Sequence, residues 1–355
     1  MDIIIVAPSL DSHISLGGIS AVASFIVKNN TQCNYIHFEQ GKRDAAKGGV
    51  YRVPALIKHL RKWKALLKEH PQAIIHYNFP LTPASILRDF FFMKAAKKMN
   101  RKMVIHLHGG LYMNAEKIPF IFNYILTDIF SWKNPLIVLS MREKERIEKQ
   151  FNASNIAVLP NCVELPRFNK EINEDKELTI GYIGRITPEK GMSELLDACG
   201  LLKKQGTHFK VLIAGAEEKN DYINPFKETL GEDFHYAGIV SGEKKEDFFR
   251  KLDVFILPSY FEGLPISLLE CMSYGIAPVV TPVGSIPELV DDNVNGLIIK
   301  THDVDTIVNA IRKLDVDRKL LSRLGMNAQQ FIYNHYRPES YFLKLNELYN
   351  QLSII

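Results

Sequence analysis

Apolar runs of four to seven residues recur along the chain, each bounded by glycine, proline or a short polar cluster and followed by a longer amphipathic stretch. The first, Ile3-Ile4-Ile5-Val6, is continuous and not alternating, as a parallel strand buried on both faces should be. The same pattern predicts strands near residues 2–7, 34–38, 73–77, 102–107, 135–139 and 155–159 in the first half. In the second half it predicts them near 178–184, 208–214, 233–237, 253–258, 276–280 and 296–299. Helical periodicity fills the stretches between, and strands alternating with helices build parallel sheets covered by helices. The reading is therefore α/β, with two doubly wound domains over 1–165 and 176–335. Pro160 to Lys176, which lacks periodicity and carries Pro160 and Pro166, is the expected hinge. Such domains bind ligands where loops leave the carboxyl ends of their strands, and two of them facing each other enclose a cleft.

Length agrees, since 355 residues suit two cores of about 150 to 180 residues each. Met1 to Pro8 has no basic segment ahead of it and reads as a first strand, not a signal peptide. Ile118 to Phe130 is interrupted by Asn123, Thr127 and Asp128 and is too short to span a bilayer. Cys33, Cys162, Cys199 and Cys271 have no metal-ligand spacing and fit reduced thiols in the cytoplasm.

The net charge of +4 conceals an asymmetry. Residues 1–160 hold 22 Lys and Arg against 11 Asp and Glu, and the remainder holds 22 against 29, giving +11 and −7. A basic domain favours an anionic partner such as nucleic acid, a bilayer or a diphosphate-linked lipid. Residues 52–69 form a basic amphipathic helix with Leu56, Leu60, Trp63 and Leu67 as its stripe. That helix packs on the sheet as a surface element, and it also suits an anionic membrane or acceptor surface built from Lys58, Arg61, Lys62, Trp63 and Lys64. Lys94, Lys97, Lys98, Arg101 and Lys102 add a second basic cluster. Aromatic interleaving and any recognisable nucleic-acid module are missing, so nucleic acid is not an expected partner.

The most informative segment runs from Phe255 to Gly275 and sets a strand, a tight loop and a helix in succession. Glu262 sits in the loop, and Glu270 lies two turns into the helix among Leu268, Leu269, Cys271 and Met272. A carboxylate in such surroundings is costly unless hydrogen bonds are donated to it. Pro265 suits the first helical position, and the N–H groups of Ile266 and Ser267 just after it are open to an anion. A second loop, Gly184-Arg185-Ile-Thr-Pro-Glu-Lys190-Gly191, offers two cations to a departing nucleoside diphosphate. Gly17 and Gly18 open an apolar helix after the first strand, where backbone can approach a phosphate closely. Gly-x-Gly-x-x-Gly is absent, which argues against a dinucleotide site.

Two glutamates separated by seven residues after a Pro-Ser strand end resemble the signature of the retaining glycosyltransferases of family 4. Further landmarks of that family follow in order: Gly17-Gly18, His108-Gly109, Pro160-Asn161, Gly184-Arg185, Lys190-Gly191, Gly284-Ser285-Ile-Pro287-Glu288 and Asn295-Gly296. The resemblance covers nearly the whole chain and implies the GT-B architecture, two Rossmann-like domains facing across a cleft, with a last helix (338–355) crossing back to the first. It implies a UDP-sugar in the second domain, with Glu270 on the ribose and Glu262 on the hexose, meeting sugar and not core. Arg185, Lys190 and the N–H groups of Ile266 and Ser267 would hold the diphosphate. Gly184, Gly263, Leu264 and Pro265 would shape that site, and Ile239, within Gly238–Val240, would carry the base. The first domain would present the acceptor with Gly18 and His108.

On that resemblance the chain moves a hexose or N-acetylhexosamine with retention to a saccharide on polyprenyl diphosphate, in O-antigen or capsule assembly, at the inner face of the cell membrane. No cofactor or metal is expected, because cations and a helix N-terminus carry the charge. His106 and His108 flank Leu107 and are expected on opposite faces, with His108 towards the sugar; His76 and Asn78 are weaker acceptor candidates. Asp303-Val-Asp305 and Asp315-Val-Asp317 look like metal motifs but read as helix caps. Two departures, Asn161-Cys162-Val163-Glu164 for Asn-Gly-Val-Asp and Gly284-Ser285 for Gly-Gly, affect loop geometry. A GT-B sugar-nucleotide epimerase and a non-enzymatic anion or nucleic-acid binder are the alternatives.

Overall fold

The computed structural model describes residues 1–11, 17–41, 52–115, 117–166, 176–218 and 221–354. The chain forms two compact units, Met1–Asn161 with Glu339–Ile355, and Cys162–Pro338. Residues 167–175 of the expected hinge lie outside the described residues.

Unit 1 runs β1 (Asp2–Ala7), α1 (Gly18–Asn29), β2 (Asn34–Glu39), α2 (Arg52–Glu69), β3 (Ile74–Phe79), α3 (Pro83–Lys98), β4 (Met103–Leu107), α4 (Leu111–Asn114), α5 (Phe120–Phe130), β5 (Leu136–Val138), α6 (Met141–Phe151) and β6 (Ile156–Val158). Its parallel sheet has the order β2-β1-β3-β4-β5-β6. Unit 2 runs β7 (Leu178–Ile183), α7 (Met192–Lys204), β8 (Phe209–Ala214), α8 (Ile223–Leu230), β9 (Phe234–Tyr236), α9 (Glu243–Lys251), β10 (Val254–Leu257), α10 (Ile266–Ser273), β11 (Ala277–Val280), β12 (Leu297–Ile298), α11 (Val304–Val316) and α12 (Arg318–His335). Its parallel sheet has the order β12-β11-β10-β7-β8-β9. All twelve expected strands form, each within two residues of its predicted ends.

Local chemistry accounts for the elements. Ile3, Ile4 and Ile5 are fully buried, because β1 has a neighbour on either side and helices over both faces. Thr82 caps α3 by accepting from Ser85 N, with Pro83 at the first helical position. Ser140 caps α6 through Glu143 N at 3.2 Å, while Glu143 Oε2 accepts from Leu139 N at 2.8 Å. Asp303 and Asp317 cap α11 and α12 through Thr306 N and Leu320 N, and Asp315 pairs with Arg318 at 2.6 Å. The two Asp-x-Asp sequences are therefore helix-start chemistry, and no metal-binding cluster occurs among the described residues.

The last helix, α13 (Pro338–Ile354), belongs to unit 1. Asn346 and Asn30 exchange amide hydrogen bonds at 2.8 and 3.2 Å, and the Tyr349 hydroxyl lies 2.5 Å from His76 Nδ1.

The surface expected on α2 needs one correction. Trp63 is fully buried and its Nε1 donates to Phe92 O at 3.0 Å. Helical spacing with Leu60 and Leu67 puts it on the face that packs against the sheet, out of reach of a membrane. Lys58, Arg61, Lys62 and Lys64 on the opposite side are exposed.

Candidate active site

In unit 2, β7 and β10 are neighbours in the sheet, although β8 and β9 intervene in sequence. The chain leaves them in opposite directions, so their carboxyl-end loops part and open a crevice. The loop after β7 runs through Gly184 to Gly191, and the loop after β10 through Pro258 to Pro265. Tyr260 N donates to Glu189 O at 2.9 Å, tying one to the other. Gly191 has φ +71°, and a Cβ there would lie 2.2 Å from Pro258 O. Gly284 (φ +57°) lets a third loop, after β11, press on the Glu262 backbone, and Ser285 N donates to Gly263 O at 3.1 Å.

Across this crevice Lys190 Nζ donates to Glu262 Oε1 at 2.5 Å, with the two side chains only 19% and 9% exposed. Two expected site residues are thus in direct contact, and Glu262 belongs to a mostly buried ion pair. Arg185 is more exposed and its Nη1 stands 3.8 Å from Glu218 Oε1, a loose pairing. Its carbonyl accepts from the Tyr182 hydroxyl at 2.6 Å, which fixes the start of the loop.

Helix α10 begins one residue later than expected. Pro265 is its N-cap and not its first helical residue, and its carbonyl accepts from Leu268 N and Leu269 N. The N–H groups of Ile266 and Ser267 precede that first bond and lie in the positive end of the helix dipole, just after the loop that carries Glu262. Glu270, one turn on, accepts from Lys245 Nζ at 2.6 Å. Lys245, in the first turn of α9, was missed from sequence because a lysine in Glu243-Lys-Lys245-Glu reads as a solvated helix face. Ile239, beyond β9, is 55% exposed, next to Gly238 whose carbonyl accepts from Gly215 N at 2.8 Å. Gly184 N donates to Ala214 O at 3.0 Å, so the loops after β7, β8 and β9 line one edge.

Gly17, Gly18 and His108 belong to unit 1. Gly17 is the N-cap of α1 in extended conformation, with open space where a side chain would be. The expectation that His106 and His108 part to opposite faces fails, since their rings are 4.0 Å apart. Residues two apart in a strand share a face, and this run continues the strand geometry. His76 is completely buried, bonded to Tyr349 and, at 3.1 Å, to His106, so it cannot reach an acceptor.

Asn78 is buried and acts on His108 instead. Its Nδ2 donates to Val6 O at 3.0 Å, so Oδ1 is the atom 2.6 Å from His108 Nε2. A carbonyl oxygen only accepts, hence Nε2 carries the proton and Nδ1 is the free acceptor. Burial, reinforced by the neighbouring His76, pushes His108 down to about 3, and burial lowers His76 to about 4. His106 also lies well below the usual histidine range, from burial and then from both neighbours.

The residues gathered around α10 can hold a diphosphate and hydrogen-bond a sugar. Residues 165–331, most of unit 2, match the profile of the family described as Glycosyl transferases group 1. Over 314 residues, 82% of this chain and 79% of the relative, the sequence is 25% identical to UDP-Gal:alpha-D-GlcNAc-diphosphoundecaprenol alpha-1,3-galactosyltransferase of Escherichia coli. Sucrose-phosphate synthase of Thermosynechococcus elongatus has the same fold at a TM-score of 0.81 and 17% identity, covering 99% of this chain and 98% of that one. Anabaena Alr3699/HepE in complex with UDP-glucose gives 0.74 at 16% identity over 100% of both chains. The fold is GT-B, and the chain is a glycosyltransferase, similar over residues 165–331 to the family described as Glycosyl transferases group 1.

Proposed function

We propose that the chain is a retaining family 4 enzyme that transfers a hexose or N-acetylhexosamine from a UDP-sugar to a saccharide on a polyprenyl diphosphate, in bacterial surface polysaccharide assembly. The observation that carries this reading is the Lys190–Glu262 pair at the switch point of unit 2, formed by the loop that leads directly into the N-terminus of α10. The E. coli relative, whose name specifies UDP-Gal and a diphosphoundecaprenol acceptor, supports the donor and carrier classes.

In this reading Lys190, Arg185 and the N–H groups of Ile266 and Ser267 hold the diphosphate, Glu270 accepts from the ribose hydroxyls and Glu262 from the hexose. The sugar C1–O bond to the β-phosphate breaks, and a bond from C1 to the acceptor oxygen forms on the same face. The acceptor proton passes to a departing phosphate oxygen. No side chain forms a bond to the sugar, so positioning and charge stabilisation supply the rate, and no divalent metal is needed. His108, neutral with Nδ1 unprotonated, accepts a hydrogen bond from a sugar hydroxyl. The lipid carrier places the enzyme at the cytoplasmic face of the membrane.

The test is a panel of UDP- and GDP-sugars with a short polyprenyl-diphosphate saccharide, following nucleotide release and the anomeric configuration of the product by NMR. UDP release that requires acceptor, with an α-linked product from an α-linked donor and full activity in EDTA, is expected. An inverted product removes the retaining mechanism, and nucleotide release without acceptor points to a sugar-nucleotide epimerase.

A further inference from the structure

The chemistry proposed above makes no use of the outer face of one helical layer in unit 1. Helices α2, α3 and α5 follow β2, β3 and β4, whose crossovers run the same way along the sheet, so all three lie on one side of it. Their inward residues, among them Trp63, Phe92, Met93 and Leu126, fill a single core. Phe90 of α3 and Trp132, just beyond α5, are in ring contact and hold the two helices side by side.

The outward residues are unusual for a surface. On α3 the exposed stripe starts Ala84, Leu87, Phe91, with Leu87 42% and Phe91 53% exposed. On the first turns of α5, Phe120, Ile121 and Tyr124 are 85%, 57% and 66% exposed. Large apolar side chains left in water forgo the gain of burial, so a group of five marks a surface that is covered in use. Exposed cations flank the group. Lys94 and Lys98 continue the α3 stripe, and Lys58, Arg61, Lys62 and Lys64 line the outside of α2. Asp89, the one acid of α3, is buried and paired with Arg88 at 2.6 Å, so it does not offset them.

We propose that this face of α2, α3 and α5 seats on an anionic bilayer, with Leu87, Phe91, Phe120, Ile121 and Tyr124 entering the headgroup and acyl boundary and the lysines meeting the lipid phosphates. Apolar insertion and a polybasic rim are the two signals that together give stable peripheral binding. Aromatic side chains with a polar tip, such as Tyr124, suit that boundary. The aromatic part of the surface thus comes from α3 and α5, since Trp63 of α2 faces the core. The proposal deepens the reading of a lipid-linked acceptor, on which it rests for its purpose but not for its test.

The experiment is flotation of the full chain with phosphatidylglycerol-containing vesicles and with neutral phosphatidylcholine vesicles, at low and high salt. The unmodified protein should float with anionic vesicles at low salt and keep a measurable bound fraction at high salt, because insertion is not screened. Phe120→Glu with Tyr124→Glu should lower vesicle partitioning at least tenfold at both salts, while charge reversal of Lys58, Arg61 and Lys62 should remove only the salt-sensitive part. As a variant that keeps the patch apolar, Phe120→Trp should show a blue-shifted emission with anionic vesicles and quenching by brominated lipid. Unchanged emission, or flotation of the Phe120→Glu/Tyr124→Glu protein like the unmodified chain, overturns the proposal. So does a dimer in sedimentation that these substitutions convert to monomer, which would assign the face to a second copy. Transfer to a soluble acceptor is read in parallel: its absence in a protein that floats removes the proposed function and leaves the bilayer contact standing.

Discussion

Lys190 and Glu262 set the terms on which each other can be altered. A loop glutamate that met only sugar could be removed without cost to the fold, but this one answers a lysine that is itself largely buried. Removing the carboxylate leaves that ammonium desolvated and unpaired, which costs about 1 to 3 kcal/mol or more. Glu262→Ala is therefore expected to lower both activity and thermal stability. Glu262→Gln keeps an acceptor for Lys190 and should retain most of the stability while transfer falls by roughly 10²-fold, as loss of one charge-stabilising group typically produces. Equal melting temperatures for Glu262→Ala and the unmodified protein would remove the ion pair from this account. At the other site, Asn78→Asp places a carboxylate against His108 Nε2–H and raises its pKa. Once protonated, His108 has no acceptor atom, so the acidic limb of the kcat/KM profile should move to higher pH in Asn78→Asp and not in Asn78→Ala. A profile that keeps its acidic limb in the Asp variant would show that the His108 tautomer does not matter to transfer.

Elements are joined in unit 1 by polar bonds as well as by apolar packing. The α13 hydroxyl of Tyr349 meets His76 of β3, which meets His106 of β4, all inside the core. Tyr349 also bonds the Tyr35 hydroxyl of β2, which accepts from Asn30 at 2.8 Å. Tyr349→Phe strands the buried His76 nitrogen, and urea unfolding at pH 7 should report a loss of about 1 to 3 kcal/mol. His76 and its neighbour His108 make stability fall with acid. Their folded pKa values lie below the ordinary 6.5, at about 4 for His76 and about 3 for His108. Between those values and 6.5 the unfolded chain binds protons that the folded chain refuses, so stability rises with pH by up to about 1.4 kcal/mol per pH unit for each histidine. It is complete above pH 7 and is lost as pH falls through 6.5. Unfolding midpoints measured between pH 7 and pH 5 should drop accordingly, and His76→Gln should make the slope shallower.

For the whole molecule, two compact units with the proposed donor site in one of them predict an unequal response to nucleotide. UDP at 100 times its dissociation constant stabilises the unit that binds it by about 2.7 kcal/mol. Calorimetry with UDP should therefore raise the transition of unit 2 and leave a transition of unit 1 in place. A shift confined to unit 1 would relocate the donor site and take Lys190 and Glu262 out of it.

Much of this is legible in the sequence. The strands of both sheets stand out in sequence because a buried parallel strand needs an unbroken β-branched run, and that requirement is local. The charge division, the helix caps at Asp303 and Asp317 and the loop that carries Glu262 are local in the same sense, since each depends on neighbours within a few positions. Partners across the fold are not local. Lys190 and Glu262 are 72 positions apart, His76 and Tyr349 are 273 apart, and nothing in either segment names the other. Nothing in the sequence singles out Lys245, and Trp63 reads as part of a membrane or acceptor surface, whereas the packing of α9 beside Glu270 and of α2 on the sheet assigns them. Period and propensity decide which elements form and which face of each is apolar. Only tertiary structure decides which polar side chains meet inside and which apolar ones, such as Phe120, are left outside, because desolvation and hydrogen bonding are properties of the space a side chain occupies and not of its place in the chain.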